Sequence, residues 1–155
     1  MRVPRSQQGF TLPELLVAGG FVGVLAVLAI FFSHPIDFGP KQRNAERWTG
    51  VAQISQALTR YAKATGSLPP MITTDEIPIG DDTDMLNLCP LLVPAYAKDL
   101  SVDPEAAKDR PGAACTKSDI ALITGYTIHK TGDRSFVVAA PLAEGGETIQ
   151  ITRSF

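Results

Sequence analysis

The chain has 155 residues, which corresponds to about one domain. Its 14 basic and 16 acidic side chains nearly cancel, so its overall charge gives no reason to expect a general polyanion-binding protein. The two cysteines are too few and too far apart for a zinc site. The 12 prolines and 13 glycines lie mostly after residue 65 and predict a second half that is rich in loops but ordered.

The first predicted element is an apolar helix. Residues 10–32 carry one formal charge, Glu14, and as a helix they would extend for about 35 Å, against about 30 Å for the hydrocarbon core of a bilayer. The alternative is a cleaved secretory signal, with Arg2 and Arg5 as its basic end. That alternative fits less well, because the apolar run exceeds the usual ~7–15 residues and no small-x-small cleavage site closes it. Basic residues on both sides leave the orientation open.

The residues around the start of this helix form a motif. Residues 8–16 read Gln-Gly-Phe-Thr-Leu-Pro-Glu-Leu-Leu and closely resemble the class III signal of type IV prepilins and type II secretion pseudopilins. The resemblance implies that a prepilin peptidase cuts after Gly9 and that the new terminal residue, Phe10, is N-methylated. It also implies that Glu14, the fifth residue of the mature chain, meets the terminal amine of a neighbouring subunit during filament assembly.

Physical arguments independently favour a cut after Gly9. A glutamate at the centre of a membrane costs about 2.5–3.5 kcal/mol, so Glu14 needs a partner, and the new α-amine would lie one helical turn away in sequence. Pro13 would disrupt a helix that began before Gly9, whereas in the mature chain it falls within the first turn. The alternative is that Glu14 is merely a carboxylate at the membrane interface.

Glycines lie within the rest of the apolar segment, and prolines lie just after its end. Gly19 and Gly23 have the spacing that permits close helix approach in lipid, although glycine is also simply common in membrane helices. Pro35 and Pro40 are expected to interrupt the helix. The resemblance to pilins implies a kinked or partly melted segment there.

A second helix is predicted over residues 41–65. Its apolar side chains recur on one arc at spacings of three and four: Trp48, Val51, Ile54, Leu58 and Tyr61. Gly66 fits the position just past the helix end. The opposite face is basic, with Arg43, Arg47, Arg60 and Lys63. We expect this face to be solvated or to contact another subunit; nucleic-acid binding is less favoured, because no aromatic side chain is interleaved with the cations.

The remainder predicts loops followed by a small antiparallel sheet. Residues 67–119 are predicted as a loop region, of which residues 91–104 resemble a pseudopilin loop. Candidate strands cover residues 120–124, 126–130, 134–141 and 147–153. The side chains expected to face the long helix are Phe136, Val138, Ile149 and Ile151. The expected fold class is therefore α+β and pilin-like: a long N-terminal hydrophobic helix, kinked between Pro35 and Pro40, packed on a small antiparallel sheet.

Two further groups of residues are candidate sites. Many pilins carry a disulfide in their C-terminal part, and a bridge between Cys89 and Cys115 would contribute about 3–4 kcal/mol in an oxidising compartment; the alternative is two separate buried thiols. Asp81, Asp82 and Asp84 are weak candidate calcium ligands, since certain pseudopilins bind calcium. Their spacing lacks the full calcium-loop pattern, so solvated loop charge is the favoured interpretation and no cofactor is otherwise expected.

The sequence does not point to an enzyme. His34 and His129 are lone histidines outside any catalytic or metal-binding motif. The resemblance implies a prepilin with a leader at residues 1–9, a membrane and filament-core helix at 10–33 and an extracytoplasmic domain at 34–155. Such a subunit would stay in the inner membrane until an assembly ATPase and a platform protein moved it into a periplasmic or cell-surface filament of pilin-like subunits. The alternative is an uncleaved single-pass protein that displays a ligand-binding domain.

Overall fold

The computed structural model describes residues 11–33, 39–117 and 120–155. The chain divides into two compact units, one holding the N-terminal helix and one beginning at Phe38. Gly9, Phe10, His34 and Pro35 lie outside the described residues, and so does the kink predicted after residue 33. The elements in chain order are α1 (Leu12–Ser33), α2 (Pro40–Thr65), β1 (Ile77–Gly80), α3 (Cys89–Leu92), α4 (Ala106–Asp109), β2 (Ile123–Gly132), β3 (Ser135–Ala139) and β4 (Gln150–Ser154).

Helix α2 begins and ends where its sequence predicts. Pro40 occupies the first turn, where the missing N–H of proline costs nothing, and extended Gly39 precedes it. At the other end Gly66 adopts a left-handed conformation, with φ of 82°, and its N–H donates to the carbonyl oxygen of Ala62 across 2.8 Å. The prediction of a helix over residues 41–65 with Gly66 as its cap is confirmed.

The four strands form one antiparallel sheet in the order β1-β2-β3-β4. The predicted antiparallel sheet is confirmed, but its strands differ from the prediction. Strand β1 lies within the region predicted as loop. The two predicted strands at residues 120–124 and 126–130 are replaced by one strand, β2, which begins at Ile123 and continues through Gly125 to Gly132. Gly125 adopts a φ of +77° within the strand, and the pairing of β1 with β2 shifts register between Pro78 and Gly80.

The last strand is shorter than predicted. It begins at Gln150 rather than at residue 147, because the side chain of Glu147 accepts hydrogen bonds from α2 and its segment lies outside the β3–β4 pairing. Strand β3 covers Ser135–Ala139 and is also shorter than the predicted 134–141; Pro141, which cannot donate to a sheet, lies beyond its end.

The core lies between α2 and the sheet. From the predicted arc of α2, Val51, Ile54 and Leu58 are buried, whereas Trp48 is 39% exposed. The sheet side chains predicted to face the helix belong to the same core: Phe136, Val138 and Ile149 are buried, and Ile151 packs against them while partly exposed. The sequence therefore identified the packing face of α2 correctly, except that its first member reaches the surface.

Candidate functional site

Helix α1 exposes apolar side chains in every direction. All described side chains from Leu12 to Ala29 are exposed within the chain, and Gly19, Gly20 and Gly23 have no atom within 4 Å of the position that a Cβ would take. By length and composition this helix is long and apolar enough to cross a membrane, and a signal sequence would have the same properties. An apolar surface of this kind needs lipid or other helices to cover it.

Glu14 caps the start of α1. Its Oε2 accepts hydrogen bonds from the backbone N–H of Thr11 across 3.0 Å and from the Thr11 hydroxyl across 2.8 Å. The N–H of Leu15 in turn donates to the carbonyl oxygen of Thr11. Threonine followed three residues later by glutamate is the sequence pattern of a capping box, a signal that the sequence analysis missed. The negative charge thus lies at the helix N-terminus, where the helix dipole stabilises it.

The prediction of a solvated basic face on α2 holds for Arg60 and Lys63, which are exposed, but it is wrong for Arg47, which lies four residues before Val51 on the apolar face. Arg47 is fully buried, and its Nε donates to Oδ2 of Asp103, which is also fully buried, across 2.6 Å. Nη1 of Arg47 donates to Oε1 of Glu144 across 2.8 Å and to Oδ1 of Asn44 across 2.9 Å. A buried arginine persists only when its donors find such partners. Asn44 lies on the same helix, whereas Asp103 and Glu144 are 56 and 97 residues away in the sequence.

Neighbouring side chains of α2 also form hydrogen bonds with the loop that contains Glu144. Arg43 donates to both carboxylate oxygens of Glu144, across 2.6 Å and 2.5 Å. Asn44 and Trp48 donate to the two oxygens of Glu147, across 2.8 Å and 2.9 Å. We call this group the α2 ion cluster; its members are Arg43, Asn44, Arg47, Trp48, Asp103, Glu144 and Glu147.

The α2 ion cluster lowers the pKa of Glu144 and of Glu147. Hydrogen bonds from Arg43 and Arg47 lower the pKa of Glu144 to about 2, since they stabilise the charged form. Hydrogen bonds from Trp48 and Asn44 likewise lower the pKa of Glu147. The cluster therefore fastens the first half of α2 to the loop between β3 and β4 through groups that stay charged at neutral pH.

The disulfide predicted between Cys89 and Cys115 is present, with Cα atoms 5.3 Å apart. It ties the start of α3 to the segment that precedes β2. The N–H of Cys115 also donates to Oδ1 of Asp99 across 2.9 Å, and both cysteines pack against the core. The bridge therefore closes part of the region that was predicted as loop, residues 67–119.

Two of the three candidate calcium ligands, Asp81 and Asp82, form hydrogen bonds within the protein. Asp81 accepts a hydrogen bond from the N–H of Leu122, and Asp82 accepts one from Arg110 across 3.1 Å. Asp84 has a φ of 65°, a turn conformation. Within residues 11–33, 39–117 and 120–155, no group of three histidine, cysteine or acidic side chains is placed to hold a metal ion. His129 lies partly buried in β2.

Comparison of the chain with protein-family models, curated proteins and solved structures finds no significant match. The features of the chain that bear on its function are therefore the motif at residues 8–16, the exposed helix α1 and the disulfide-bonded domain.

Proposed function

We propose that the chain is the precursor of a filament subunit, of the kind found in type IV pili and type II secretion pseudopili. One observation carries the proposal: a glycine–phenylalanine junction at residues 9 and 10 heads an apolar helix whose first turn holds a single charge, Glu14. A membrane anchor needs only the apolar helix. The junction and the charge at this spacing are explained by cleavage and assembly.

The exposed apolar surface of α1 suits a helix that lies first in the membrane and later in a filament. Its 22 residues extend for about 33 Å, enough to span the hydrocarbon core of the inner membrane. In a filament the same surface would be covered by the α1 helices of other subunits. An assembly ATPase and a platform protein would drive the passage between the two environments.

Glu14 has the geometry to take part in that assembly. Both hydrogen bonds from Thr11 go to Oε2 of Glu14, which leaves Oε1 for a further donor. We assign that place to the methylated amine of Phe10 on an adjacent subunit. Neutralising the carboxylate in this way would offset the cost of bringing its charge into an apolar filament core.

The second unit fits an extracytoplasmic domain. Disulfides persist in oxidising compartments and are rare in the cytosol, and the bridge between Cys89 and Cys115 joins segments that carry little secondary structure. In this proposal the domain lies in the periplasm or on the filament surface and has a structural rather than a catalytic role.

Mass spectrometry of the N-terminus tests the proposal. The full chain is expressed with and without a prepilin peptidase, alongside Gly9→Val and the control Gln8→Ala. We expect an N-methylated terminus at Phe10 for the wild type and for Gln8→Ala, and an uncut chain for Gly9→Val or without the peptidase. A wild-type chain that stays uncut beside the active peptidase would favour the single-pass binding protein instead.

A further inference from the structure

A cavity of about 580 Å³ opens within the second unit, between α2 and the segment that follows α3. This volume is in the range of small-molecule sites, about 300–1,000 Å³. The polar side chains of its wall include Gln53, Gln56, Arg60, Lys98, Ser101 and Thr116. Thr116 directly follows Cys115, so the disulfide holds this part of the wall in place.

The charge of the cavity is positive, although the chain as a whole is acidic. Arg60 and Lys98 form no ion pair with any carboxylate in the described part of the chain; Arg60 donates one long hydrogen bond, 3.4 Å, to the carbonyl oxygen of Tyr96. The one carboxylate in the wall, Asp99, accepts the backbone N–H groups of Leu100 and Cys115 across 2.8 Å and 2.9 Å. Two unpaired cations therefore face the cavity, while its acid is already engaged by the backbone.

The uncharged part of the wall is suited to hydroxyl groups. The hydroxyl of Ser101 donates to Oε1 of Gln53, which leaves the amide NH₂ of Gln53 as a donor, and Gln56 adds a second amide. Tyr96 supplies an aromatic ring, held edge-on against Tyr61 at 5.6 Å between ring centroids. The apolar wall residues are Ala57, Ala97 and Leu100. This lining lacks the large apolar surface that a lipid chain would need.

We propose that this cavity binds a small acidic saccharide. Arg60 and Lys98 hold its carboxylate through charge-assisted hydrogen bonds, and the two glutamines and Thr116 bind its hydroxyl groups. A nucleic acid is a poorer fit, because the wall offers two cations and one aromatic ring, whereas single-stranded nucleic acids are bound along basic grooves by successive stacked aromatics. The inference concerns the second unit alone and does not depend on cleavage at Gly9.

Calorimetric titration of the full-length, oxidised chain in a nonionic detergent tests this site. The probes are trigalacturonate and, as a neutral control of similar size, maltotriose. We expect saturable binding of one trigalacturonate per chain and none of maltotriose. Arg60→Gln and Lys98→Gln should each weaken the affinity about fivefold, as expected for ionic hydrogen bonds at a partly solvated site.

Lys63→Gln is the matched control, since Lys63 is an exposed cation on the last turn of α2 outside the cavity wall. It should leave the affinity unchanged, and Arg60→Lys should retain more affinity than Arg60→Gln. Three results would overturn the proposal: no saturable binding of trigalacturonate at millimolar concentration, an equal loss in Lys63→Gln, or tighter binding of an oligothymidylate whose affinity grows with its length. The last would indicate a nucleic-acid surface instead.

Discussion

The guanidinium of Arg47 donates to the carboxylate of Asp103 across 2.6 Å, and neither side chain is accessible to solvent. The two residues are 56 positions apart in the sequence. Removing one partner of such a pair leaves an uncompensated charge in the interior, which typically costs about 3–5 kcal/mol.

We therefore expect Arg47→Ala to lower the free energy of unfolding of the second unit by about 3–5 kcal/mol. Urea unfolding of the full chain in detergent, followed by the fluorescence of Trp48, measures the change. Lys108→Ala is the control: it removes an exposed ion pair with Glu105 and should cost at most about 1 kcal/mol. If the two substitutions lowered the free energy of unfolding equally, the buried pair of Arg47 and Asp103 would contribute no more stability than an exposed ion pair.

The stability of the second unit should depend on pH through Glu144. Its folded-state pKa of about 2 lies below its ordinary value of 4.5, so the charged form is stabilised by folding. This contribution is fully present above about pH 4.5 and is lost as the pH falls toward 2. Glu144→Gln should therefore destabilise the chain at pH 7 and flatten its acid unfolding curve between those values.

Glu46→Gln, on α2 but outside the ion cluster, is the control for this titration. It should leave the acid unfolding curve close to that of the wild type. A Glu144→Gln curve parallel to the wild-type curve would contradict the assignment of the acid transition to Glu144.

Reduction of the disulfide should destabilise the second unit. The bridge closes a loop with a sequence separation of 26, for which loop-closure entropy gives about 3–4 kcal/mol. We expect no titratable thiol in the oxidised chain, two after reduction and denaturation, and a melting temperature lowered by several degrees in Cys89→Ser/Cys115→Ser. An unchanged melting temperature would mean that the loop is ordered without its bridge.

Gly50→Ala should destabilise the contact between α2 and β2. A Cβ at Gly50 would clash with the hydroxyl oxygen of Tyr126 and lie 2.6 Å from its ring carbon Cζ, and the Tyr126 side chain is itself almost fully buried. Forcing an extra methyl group into a packed interior costs about 1–3 kcal/mol, and thermal unfolding would show the loss. Tyr126→Phe should partly restore the stability lost in Gly50→Ala, because it removes the hydroxyl group. Thr49→Ala, at the exposed position next to Gly50, is the control. Additive effects of the two substitutions would argue against this contact.

Glu14→Gln should separate membrane insertion from filament assembly. The substitution removes the charge and keeps the shape, so residence in the membrane should be at least as efficient as in the wild type. Cleavage after Gly9 should survive, while incorporation into filaments should fall because the partner of the Phe10 amine is lost. Labelled subunit must be counted in filaments of a strain that lacks the wild-type chain. Normal incorporation there would make Glu14 an interfacial carboxylate only.

The sequence by itself determined the features that depend on near neighbours. The apolar run and the spacing of Val51, Ile54 and Leu58 predict two helices, because a helix repeats its contacts within four residues. Gly66 marks the end of α2 for the same reason, since only a residue free to adopt positive φ caps it easily. The pairing of Cys89 with Cys115 was predicted because the chain has two cysteines and the resemblance to prepilins implies export to an oxidising compartment.

Only the tertiary structure decided where the charges of α2 go. Helical periodicity places Arg47 on the apolar face, four residues before Val51, but its charge alone predicts solvent exposure. Its burial depends on Asp103 and Glu144, which are 56 and 97 residues away and reach it only after the sheet and its loops have formed. The predicted break between two strands at Gly125 was wrong for a similar reason. A glycine at positive φ is compatible both with a turn and with an irregular strand, so the local sequence does not distinguish them. The strand that contains Gly125 is held by its pairing with β1. Because β1 has four residues, its sequence pattern is too short to identify it as a strand.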